Sequence, residues 1–417
     1  MRNLLVAQSG GPTSAINATI AGVIMEAHAS DQVDTIYGAV NGIKGVLEER
    51  FVNLSEKVPG EDELEILCQT PAAALGSCRV KLKNPAEDDS QFQEIIRIFR
   101  KHEIMYFIYA GGNDSMDTVD KLAAYCKEHK IEDIHVMGAP KTIDNDLVGT
   151  DHCPGFGSAA KYIATTFSEL ERDCHVYDTK AVTIVEVMGR NAGWLTAASA
   201  LARNNGAAGP SLIYLCEPAF SVESFLDDVK KKLEQQDSVL VAISEGIKDK
   251  NGVYISEQVQ SGAVDNFGHS YIAGSARVLE DIVRREIGCK VRSIELNLMQ
   301  RCSAHIASKT DIDESFAVGT FGAQQALMGV TGKMAVILRE ETKNGYHAIY
   351  GCEEIERCAN HERLVPEKWY DLEDPKVQQE IVAYIRPLIK GKAVSFDDEY
   401  GTAGFIDWLK FSRQEGR

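Results

Sequence analysis

Short apolar runs alternate with longer amphipathic stretches along most of this chain. The short runs are rich in β-branched residues, which is typical of strands, and several are apolar throughout, as strands buried on both faces require. Between them, apolar residues at i, i+3 and i+4 predict helices that begin near Ser158, Val222 and Ser275. The predicted strands begin at Asn3, Glu103, Asp133, Ala181, Pro210, Ser238, Lys290 and Lys333.

The alternation of strand and helix predicts an α/β fold in which parallel sheets are covered by helices on both faces. The 417 residues are enough for two such domains. Ligands bind beyond the carboxyl ends of the strands in sheets of this kind. We therefore expect the functional residues in the loops that follow the strands.

Composition and charge exclude several classes of partner. The chain is 44% hydrophobic and carries a net charge of −18, and its longest basic run is the three lysines from Lys230. Because nucleic acids and anionic membranes attract basic surfaces, we expect neither as a partner. No apolar stretch reaches the ~18 residues of a membrane span. An anionic ligand must therefore be held by local cations.

The cysteines and the first residues favour a cytoplasmic protein. Ten cysteines are scattered singly, without the dense framework of a small secreted domain, so we expect reduced thiols. The first apolar run is far shorter than a signal-peptide core. Cys352, Cys358 and His361 cluster, but their spacing fits no common zinc pattern and a fourth ligand is not evident. We do not expect zinc there.

Two glycine turns follow two of the predicted strands. Gly10 and Gly11 lie in SGGP, and Gly112 lies in GGNDS, just before a helical pattern. Glycine allows close backbone approach, and a helix N-terminus attracts an anion, so both turns suit a phosphate. A plain strand-to-helix turn and a nicotinamide site are the alternatives, although the fingerprint G-x-G-x-x-G is absent. Asp114 is unexpected in such a turn because a carboxylate repels phosphate.

The loop after the third of these strands concentrates charge. Lys141, Asp144 and Asp146 lie within six positions, in the stretch KTIDND. The carboxylates could cap a helix or form Asx turns. In an extended segment, however, both would point the same way, so that one could act as a base while the other meets a metal or orients the first. Lys141 would supply the cation that a phosphate needs.

Further charged residues lie at or near other predicted strands. Arg190 and Glu245 each follow a buried run, and Arg292 and Arg301 are two more cations that could bind an anion. An arginine at a strand end can hold an anionic substrate through two parallel hydrogen bonds, whereas most arginines only pair with surface acids. A carboxylate at Glu245 can accept hydrogen bonds from a sugar hydroxyl or cap the next element.

Taken together, these motifs resemble the phosphofructokinase family. SGGP, LGSCR, GGNDS, PKTIDND, GTDHCPGFGSA, VEVMGR, SEGI and MQR occur in this order between residues 8 and 301. The resemblance implies two doubly wound, Rossmann-like parallel-sheet domains that face each other across a cleft, with a C-terminal helical extension, in a homo-oligomer (dimer or tetramer). The expected division is residues 1–138 plus 255–305 for the phosphoryl donor, and 139–254 plus 306–417 for the sugar phosphate and the extension.

The resemblance also implies a role for each matching residue. Asp144 is expected to take the proton from the C1 hydroxyl of fructose 6-phosphate, and Asn113 lies at the position associated with Mg²⁺. The other catalytic residues are Asp114, Lys141 and Arg190. The sugar phosphate is expected to meet Thr142, Ile143, Asp144, Asp146, Met188, Gly189, Arg190, Glu245, Arg292, Leu298 and Arg301. The donor diphosphate is expected to meet Gly10, Gly11, Arg79, Gly112, Ser115 and Lys141.

The chain departs from the family pattern at three positions. Many members have Asp where this chain has Asn113, a neutral ligand that binds a hard cation more weakly. Leu298 stands at a position that is usually polar and assists substrate binding. Ala181 stands where ATP-using bacterial relatives offer an arginine from a neighbouring subunit.

The donor is expected to be pyrophosphate. ATP-dependent relatives typically have glycine at the positions of Asp114 and Lys141, and pyrophosphate-dependent members replace both. Asp114 would occupy and charge the place of the nucleotide, while Lys141 would attract the shorter donor. The alternatives are an ATP-using member of the family, a non-catalytic phosphosugar-binding protein, and a nicotinamide-binding oxidoreductase.

Overall fold

A computed structural model describes residues 2–204, 209–258, 274–393, 397 and 401–409. The strands are β1 (Asn3–Gln8), β2 (Thr35–Ala39), β3 (Phe51–Asn53), β4 (Ile104–Gly111), β5 (His135–Pro140), β6 (Ala181–Val187), β7 (Leu212–Tyr214), β8 (Ser238–Ser244), β9 (Lys290–Glu295), β10 (Lys333–Thr342) and β11 (Gly345–Glu354). The helices are α1 (Ile16–Ala29), α2 (Gly42–Leu47), α3 (Leu54–Lys57), α4 (Glu61–Gln69), α5 (Ser90–Lys101), α6 (Asn113–Glu128), α7 (Phe156–Cys174), α8 (Trp194–Ala198), α9 (Val222–Gln235), α10 (Ser275–Glu286), α11 (Met299–Cys302), α12 (Lys309–Leu327), α13 (Ile355–Cys358) and α14 (Pro375–Ile385).

These elements form two compact units. Unit 1 comprises Met1–Ser158, Arg301–Glu362 and Lys390–Arg417, and unit 2 comprises Ala159–Gln300 and Arg363–Ile389. No helix within the described residues is both long and apolar enough to cross a membrane.

Unit 1 is built on a seven-stranded sheet in the order β11-β10-β5-β4-β1-β2-β3. Its central strands are parallel, and antiparallel pairs lie at both edges. Leu5 packs in one buried cluster, whereas its neighbours Leu4 and Val6 pack in another. Since successive strand residues point to opposite faces, both faces of the sheet are covered. This explains why the central strands are apolar throughout.

Unit 2 is built on a four-stranded parallel sheet in the order β7-β8-β6-β9. Val182 and Ile184 of β6 pack with Phe225 of α9 and Leu279 of α10 in one cluster. The alternating side chains of β6 and the apolar faces of the two helices therefore build this core together.

The predicted division of the chain differs from these units. Residues 306–362 belong to unit 1 because β10 pairs with β5, where Lys333 lies opposite Met137. Residues 274–300 belong to unit 2 because β9 pairs with β6. Strand pairing across long sequence separations decided both assignments. The local pattern of apolar and polar residues does not indicate which distant strands pair.

The prediction of two α/β units with parallel sheets is confirmed, and all eight predicted strands and all three predicted helices are present within a few residues. Strands β2, β3 and β11 were not predicted. Strand β3 has only three residues, and β11 is partly exposed along its whole length, so neither shows a strong apolar run.

Candidate active site

Three loops meet at the carboxyl edge of the unit 1 sheet. Strands β1, β4 and β5 are adjacent, and the loops that follow them are joined by backbone hydrogen bonds. The N–H of Ser9 donates to the carbonyl of Ala110 (2.9 Å), and the N–H of Lys141 donates to the carbonyl of Gly111 (2.9 Å). The two glycine loops and the KTIDND loop are therefore brought together, as expected for a site beyond the strand ends.

Two glycines of these loops, Gly10 and Gly111, leave no room for a side chain. Gly10 has φ +79°, and a Cβ atom there would lie 3.1 Å from the Nζ of Lys141. A Cβ atom on Gly111 would lie 1.8 Å from the Oγ of Ser115, which is itself hydrogen-bonded to the Oγ of Ser9. Only glycine fits at both positions.

The two glycine loops differ in how they offer backbone amides. Helix α6 begins at Asn113, directly after Gly112, as the sequence predicted. Helix α1 begins only at Ile16, and the Oγ1 of Thr13 accepts a hydrogen bond from the N–H of Ile16 (2.9 Å). Part of the first turn of α1 is thus already satisfied, and α6 is the helix whose N-terminus immediately follows its glycine turn.

Lys141 connects the first and third loops from the inside. Its side chain is buried, and its ammonium donates to the carbonyl of Gly11 (2.6 Å). Burial lowers the pKa of this lysine to about 8, against the opposing effect of the carboxylates of Asp144 and Asp146. A buried ammonium is a strong electrostatic partner for an anion because little water screens it.

The KTIDND loop is not extended, so the argument that placed both carboxylates on one side was wrong. Asn145 has φ +56°, and its Oδ1 accepts a hydrogen bond from the N–H of Cys153 (2.9 Å). The N–H of Asp144 donates to the Oγ1 of Thr142 (3.1 Å). The loop is a turn that its own side chains and the following segment hold in place.

The two carboxylates of this loop nevertheless influence each other. Burial raises the pKa of Asp146, and together with the charges of Asp144 and Glu362 it brings this pKa to about 7. Two neighbouring carboxylates resist sharing two negative charges. Asp146 therefore loses its proton only near neutral pH.

Asp114 does not stand alone at the mouth of the second glycine loop. Its Oδ1 lies 2.7 Å from the Nζ of Lys81, and both side chains are more than half exposed. The hydrogen bond to Asp114 raises the pKa of Lys81. Lys81 was not among the predicted site residues, because nothing in the sequence distinguishes it from an ordinary surface lysine.

Two arginines lie near the first glycine loop. A Cβ atom on Gly11 would lie 3.5 Å from a guanidinium nitrogen of Arg301. Burial and the nearby charge of Arg79 lower the pKa of Arg301. The Ser77 hydroxyl donates to the carbonyl of Gly10 (2.6 Å) and so ties the segment that carries Arg79 to this loop. The structure thus brings Arg301, expected at the sugar phosphate, to the donor loop of unit 1.

In unit 2, the loops after β6 and β8 are interlocked. The N–H of Gly189 donates to the Oε1 of Glu245 (3.2 Å), and the hydroxyl of Ser244 donates to the carbonyl of Gly189 (2.6 Å). Gln300 accepts a hydrogen bond from the N–H of Met188 (3.1 Å). Burial raises the pKa of the Glu245 carboxyl. The predicted residues Met188, Gly189 and Glu245 are therefore together, and the side chain of Arg190 beside them is exposed.

Arg292 lies elsewhere in unit 2. It pairs with Thr183 near the amino end of β6, whereas the loop with Arg190 follows Val187. The four residue steps from Thr183 to Val187 correspond to roughly 13 Å along the strand at ~3.3 Å per residue. Arg292 lines a cavity of about 30 Å³ together with Ala181 and Lys290. Leu298 is about half exposed.

Asn113 fits a weak cation ligand. Its amide nitrogen donates to the carbonyl of His361 (2.8 Å), and its buried Oδ1 has no hydrogen-bond partner among the described residues. Mg²⁺ prefers such oxygens and takes only one or two ligands from the protein at phosphate sites. In the described parts of the chain no three His, Cys, Asp or Glu side chains are placed to hold a metal.

One segment near these loops was not predicted to be part of the site. Residues 359–362 follow α13 and contact both α6 and the residue after the KTIDND loop. His361 was noted in the sequence only as a member of a cluster whose spacing fits no common zinc pattern, and the stretch ANHE carries no glycine pair, apolar run or charge cluster that would place it at these loops.

Comparison with known proteins gives consistent results. The family described as Phosphofructokinase matches residues 3–322. A protein of Xanthomonas campestris pv. campestris named pyrophosphate--fructose 6-phosphate 1-phosphotransferase is 40% identical over 393 residues, which cover 94% of this chain and 92% of the relative. A protein of the same name from Methylococcus capsulatus is 36% identical, with 94% and 92% covered. The solved structure of a pyrophosphate-dependent phosphofructokinase from Marinobacter aquaeolei is similar with a TM-score of 0.82 and 33% identity, over 97% of this chain and 96% of that one.

Proposed function

Because the chain belongs to the phosphofructokinase family, we propose that it transfers a phosphoryl group from pyrophosphate to the C1 hydroxyl of fructose 6-phosphate, a reversible step of glycolysis and gluconeogenesis. The products are phosphate and fructose 1,6-bisphosphate. The observation that carries this proposal is the buried Lys141, whose ammonium bridges to the first glycine loop. Together with Asp114 it replaces the two glycines that the family resemblance associates with ATP.

The donor diphosphate is bound by the loops of unit 1. Lys141 and Arg79 supply positive charge, while Gly10, Gly11 and Gly112 allow the backbone to approach the phosphates. Ser115, in the first turn of α6, contributes to the same cradle. Phosphoryl transfer requires positioning and charge stabilisation rather than covalent chemistry by the protein, and this arrangement supplies both.

Asp144 takes the proton from the C1 hydroxyl as that oxygen attacks the nearer end of the donor. An alcohol is a weak nucleophile, so a positioned base accelerates the step. Asp146, with its pKa of about 7, is partly protonated at neutral pH, and this lowers the total negative charge beside the incoming phosphates. Thr142 and Ile143 lie on the same turn and are placed at the sugar end.

The cofactor is Mg²⁺, with Asn113 as the protein oxygen that meets it. When bound, the cation neutralises charge on the transferring phosphoryl group. The Oδ1 of Asn113, which has no hydrogen-bond partner in the part of the chain that the structure describes, supports this role. Because an amide oxygen is neutral, most of the cation's affinity must come from the pyrophosphate itself.

In unit 2, the residues that bind the sugar phosphate are Met188, Gly189, Arg190, Glu245 and Leu298, with Arg292 as a cation for its phosphate. Arg292 pairs with Thr183, which is separated from the start of the Arg190 loop by roughly 13 Å along β6. We therefore propose a cytoplasmic homo-oligomer in which Arg292 of one copy serves the sugar-phosphate site of another copy.

The test is donor kinetics with pyrophosphate, ATP and polyphosphate side by side, in the presence of fructose 6-phosphate and Mg²⁺. We expect kcat/KM for pyrophosphate to exceed that for ATP by about two orders of magnitude or more, since Lys141 serves only the shorter donor. A preference for ATP would favour the ATP-using alternative. Binding of the sugar phosphate without turnover would favour a sensor, and a bound nicotinamide would favour an oxidoreductase.

A further inference from the structure

Residues 359–362 (Ala359, Asn360, His361, Glu362) form a segment that connects the two chemically important loops of unit 1. We call it the 359–362 segment. It begins at the buried Ala359, directly after α13. Its other residues are exposed, and each of them makes a contact with a neighbouring element.

The first contact fixes the segment on the flank of α6. The amide nitrogen of Asn360 donates to the Oδ1 of Asp117 (2.8 Å). The other oxygen of this buried carboxylate accepts from the Nζ of Lys121 (2.7 Å), which also donates to the carbonyl of Leu82 (3.0 Å). Asn360 is thereby bound to the Asp117 carboxylate, whose second oxygen is held by Lys121.

The backbone of Asn360 makes this contact specific. Its φ of +60° lies in the left-handed region, which asparagine and glycine adopt more readily than other residues. This conformation turns the chain so that the next carbonyl, that of His361, faces the N-terminus of α6. There it accepts the hydrogen bond from the amide nitrogen of Asn113 (2.8 Å).

The His361 carbonyl decides which atom of Asn113 is available. A carbonyl can only accept, so the amide nitrogen of Asn113 must face it, and a flipped amide would place two acceptors 2.8 Å apart. The Oδ1 is therefore the atom that remains without a partner among the described residues. A buried acceptor without a partner is costly, and a cation can satisfy it.

The last residue of the segment contacts the catalytic loop. Glu362 forms an isolated antiparallel bridge with Leu147, directly after Asp146, and its charge contributes to the raised pKa of Asp146. One short segment thus holds the metal-associated residue and borders the loop of the proposed base.

We propose that Asn360 is a positioning residue, which holds the His361 carbonyl so that Asn113 presents its Oδ1 to the divalent cation bound with the donor. This inference rests on the proposed function, because that function supplies the cation and the diphosphate. Groups that orient a metal ligand change metal affinity by about 10–100-fold when they are removed.

The experiment measures Mn²⁺ binding by electron paramagnetic resonance, in the presence of methylenediphosphonate and without turnover. Asn360→Gly removes the amide but keeps the left-handed backbone accessible. We expect its apparent Kd for Mn²⁺ to rise about tenfold, together with the KM for magnesium pyrophosphate, while the KM for fructose 6-phosphate stays within about twofold. Asn360→Asp, which places a carboxylate against Asp117, should weaken Mn²⁺ binding at least as much.

Lys130→Gly is the matched control, because Lys130 is also exposed and left-handed (φ +54°) but lies beyond the C-terminal end of α6. It should bind Mn²⁺ like the wild type. Wild-type Mn²⁺ affinity in both Asn360 variants would overturn the proposal. So would an equal loss for both substrates with unchanged Mn²⁺ binding, since that indicates a purely structural role. If the wild type used no pyrophosphate, the proposed function would fail, yet the Mn²⁺ comparison would still decide about Asn360.

Discussion

Candidate residues of unit 1 contact one another directly, whereas in unit 2 the side chain of the candidate cation Arg190 is exposed. In unit 1 the ammonium of Lys141 is buried against the carbonyl of Gly11, and Asp114 is paired with Lys81. In unit 2 the backbone around Gly189 is firmly hydrogen-bonded, but Arg190 is exposed.

This difference has a physical reason. Binding a small, highly charged donor benefits from preorganised charge in a site with little water, because such groups need no reorganisation when the donor binds. A sugar phosphate is larger, and long arginine side chains can reach its phosphate from a distance. We infer that the donor site is largely complete within unit 1, while the sugar-phosphate site depends on groups that unit 2 alone does not assemble.

The strongest test of the unit 1 site is the proposed base. Asp144→Asn should lower kcat by about 10²–10⁴-fold, with little change in the KM for fructose 6-phosphate, as expected for the loss of a general base. Steady-state kinetics would measure both constants, with the exposed Asp62→Asn as a control. A variant that kept more than about a tenth of wild-type turnover would remove Asp144 from this role.

Lys141 tests whether preorganised charge selects the donor. Lys141→Gly should lower kcat/KM for pyrophosphate by about 30–1000-fold, which corresponds to the loss of about 2–4 kcal/mol from one buried phosphate contact. Because the pKa of Lys141 is lowered to about 8, the unfolded chain holds this proton more tightly, so its burial costs stability below that pH. Lys141→Met should therefore lose activity without losing thermal stability. Unchanged pyrophosphate kinetics would contradict the assignment.

Arg292 tests whether unit 2 depends on another copy of the chain. Arg292→Ala should raise the KM for fructose 6-phosphate by about 10–100-fold, the effect of losing one charged hydrogen-bonded contact, with kcat little changed. Mixing it with Asp144→Asn protein should recover part of the activity if Arg292 acts on a neighbouring copy. If subunits exchanged but no mixture recovered activity, Arg292 would act in the site of its own copy or in no site.

Asp114 tests the role of charge at the edge of the donor site. Asp114→Gly should raise the ratio of kcat/KM for ATP over pyrophosphate by about tenfold, since it removes both bulk and a carboxylate. Combined with Lys141→Gly, the change should exceed the sum of the two single effects, because nearby residues couple. Lys81→Met, which leaves Asp114 unpaired, should change the ratio in the opposite direction. If the ratio were unchanged in Asp114→Gly, Asp114 would not select the donor and would only be an acidic residue in the first turn of α6.

The smallest effect concerns stability. The pKa of Asp146 is raised to about 7 in the folded protein, so between about pH 4 and pH 7 the folded state binds more protons than the unfolded state. Stability contributed by this group is present at low pH and is lost as the pH rises through 7. Asp146→Asn should melt like the wild type at about pH 4 and about 2–4 °C higher at pH 8, with the difference growing between these pH values. If the variant and the wild type had equal melting temperatures at both pH values, the pKa of Asp146 would not be raised in the folded protein.

Eight of the strands, the α/β class and the loops in which candidate residues lie were predicted from the sequence. These features depend on local patterns: apolar runs for strands, i, i+3 and i+4 spacing for helices, and glycines where backbones approach closely. Lys141, Gly10 and Gly11 became candidates in this way, because a charged residue or a glycine after a predicted strand can be read directly from the sequence.

Only the tertiary structure decided which of those residues meet. It joined β10 and β5, separated Arg292 from the loop of Arg190, and turned the backbone at Asn145 against the expectation of an extended segment. It also placed Asn360, more than two hundred residues away in sequence, against α6. Such contacts arise from long-range packing, in which the free energy depends on which surfaces are buried together, and a linear pattern does not record them.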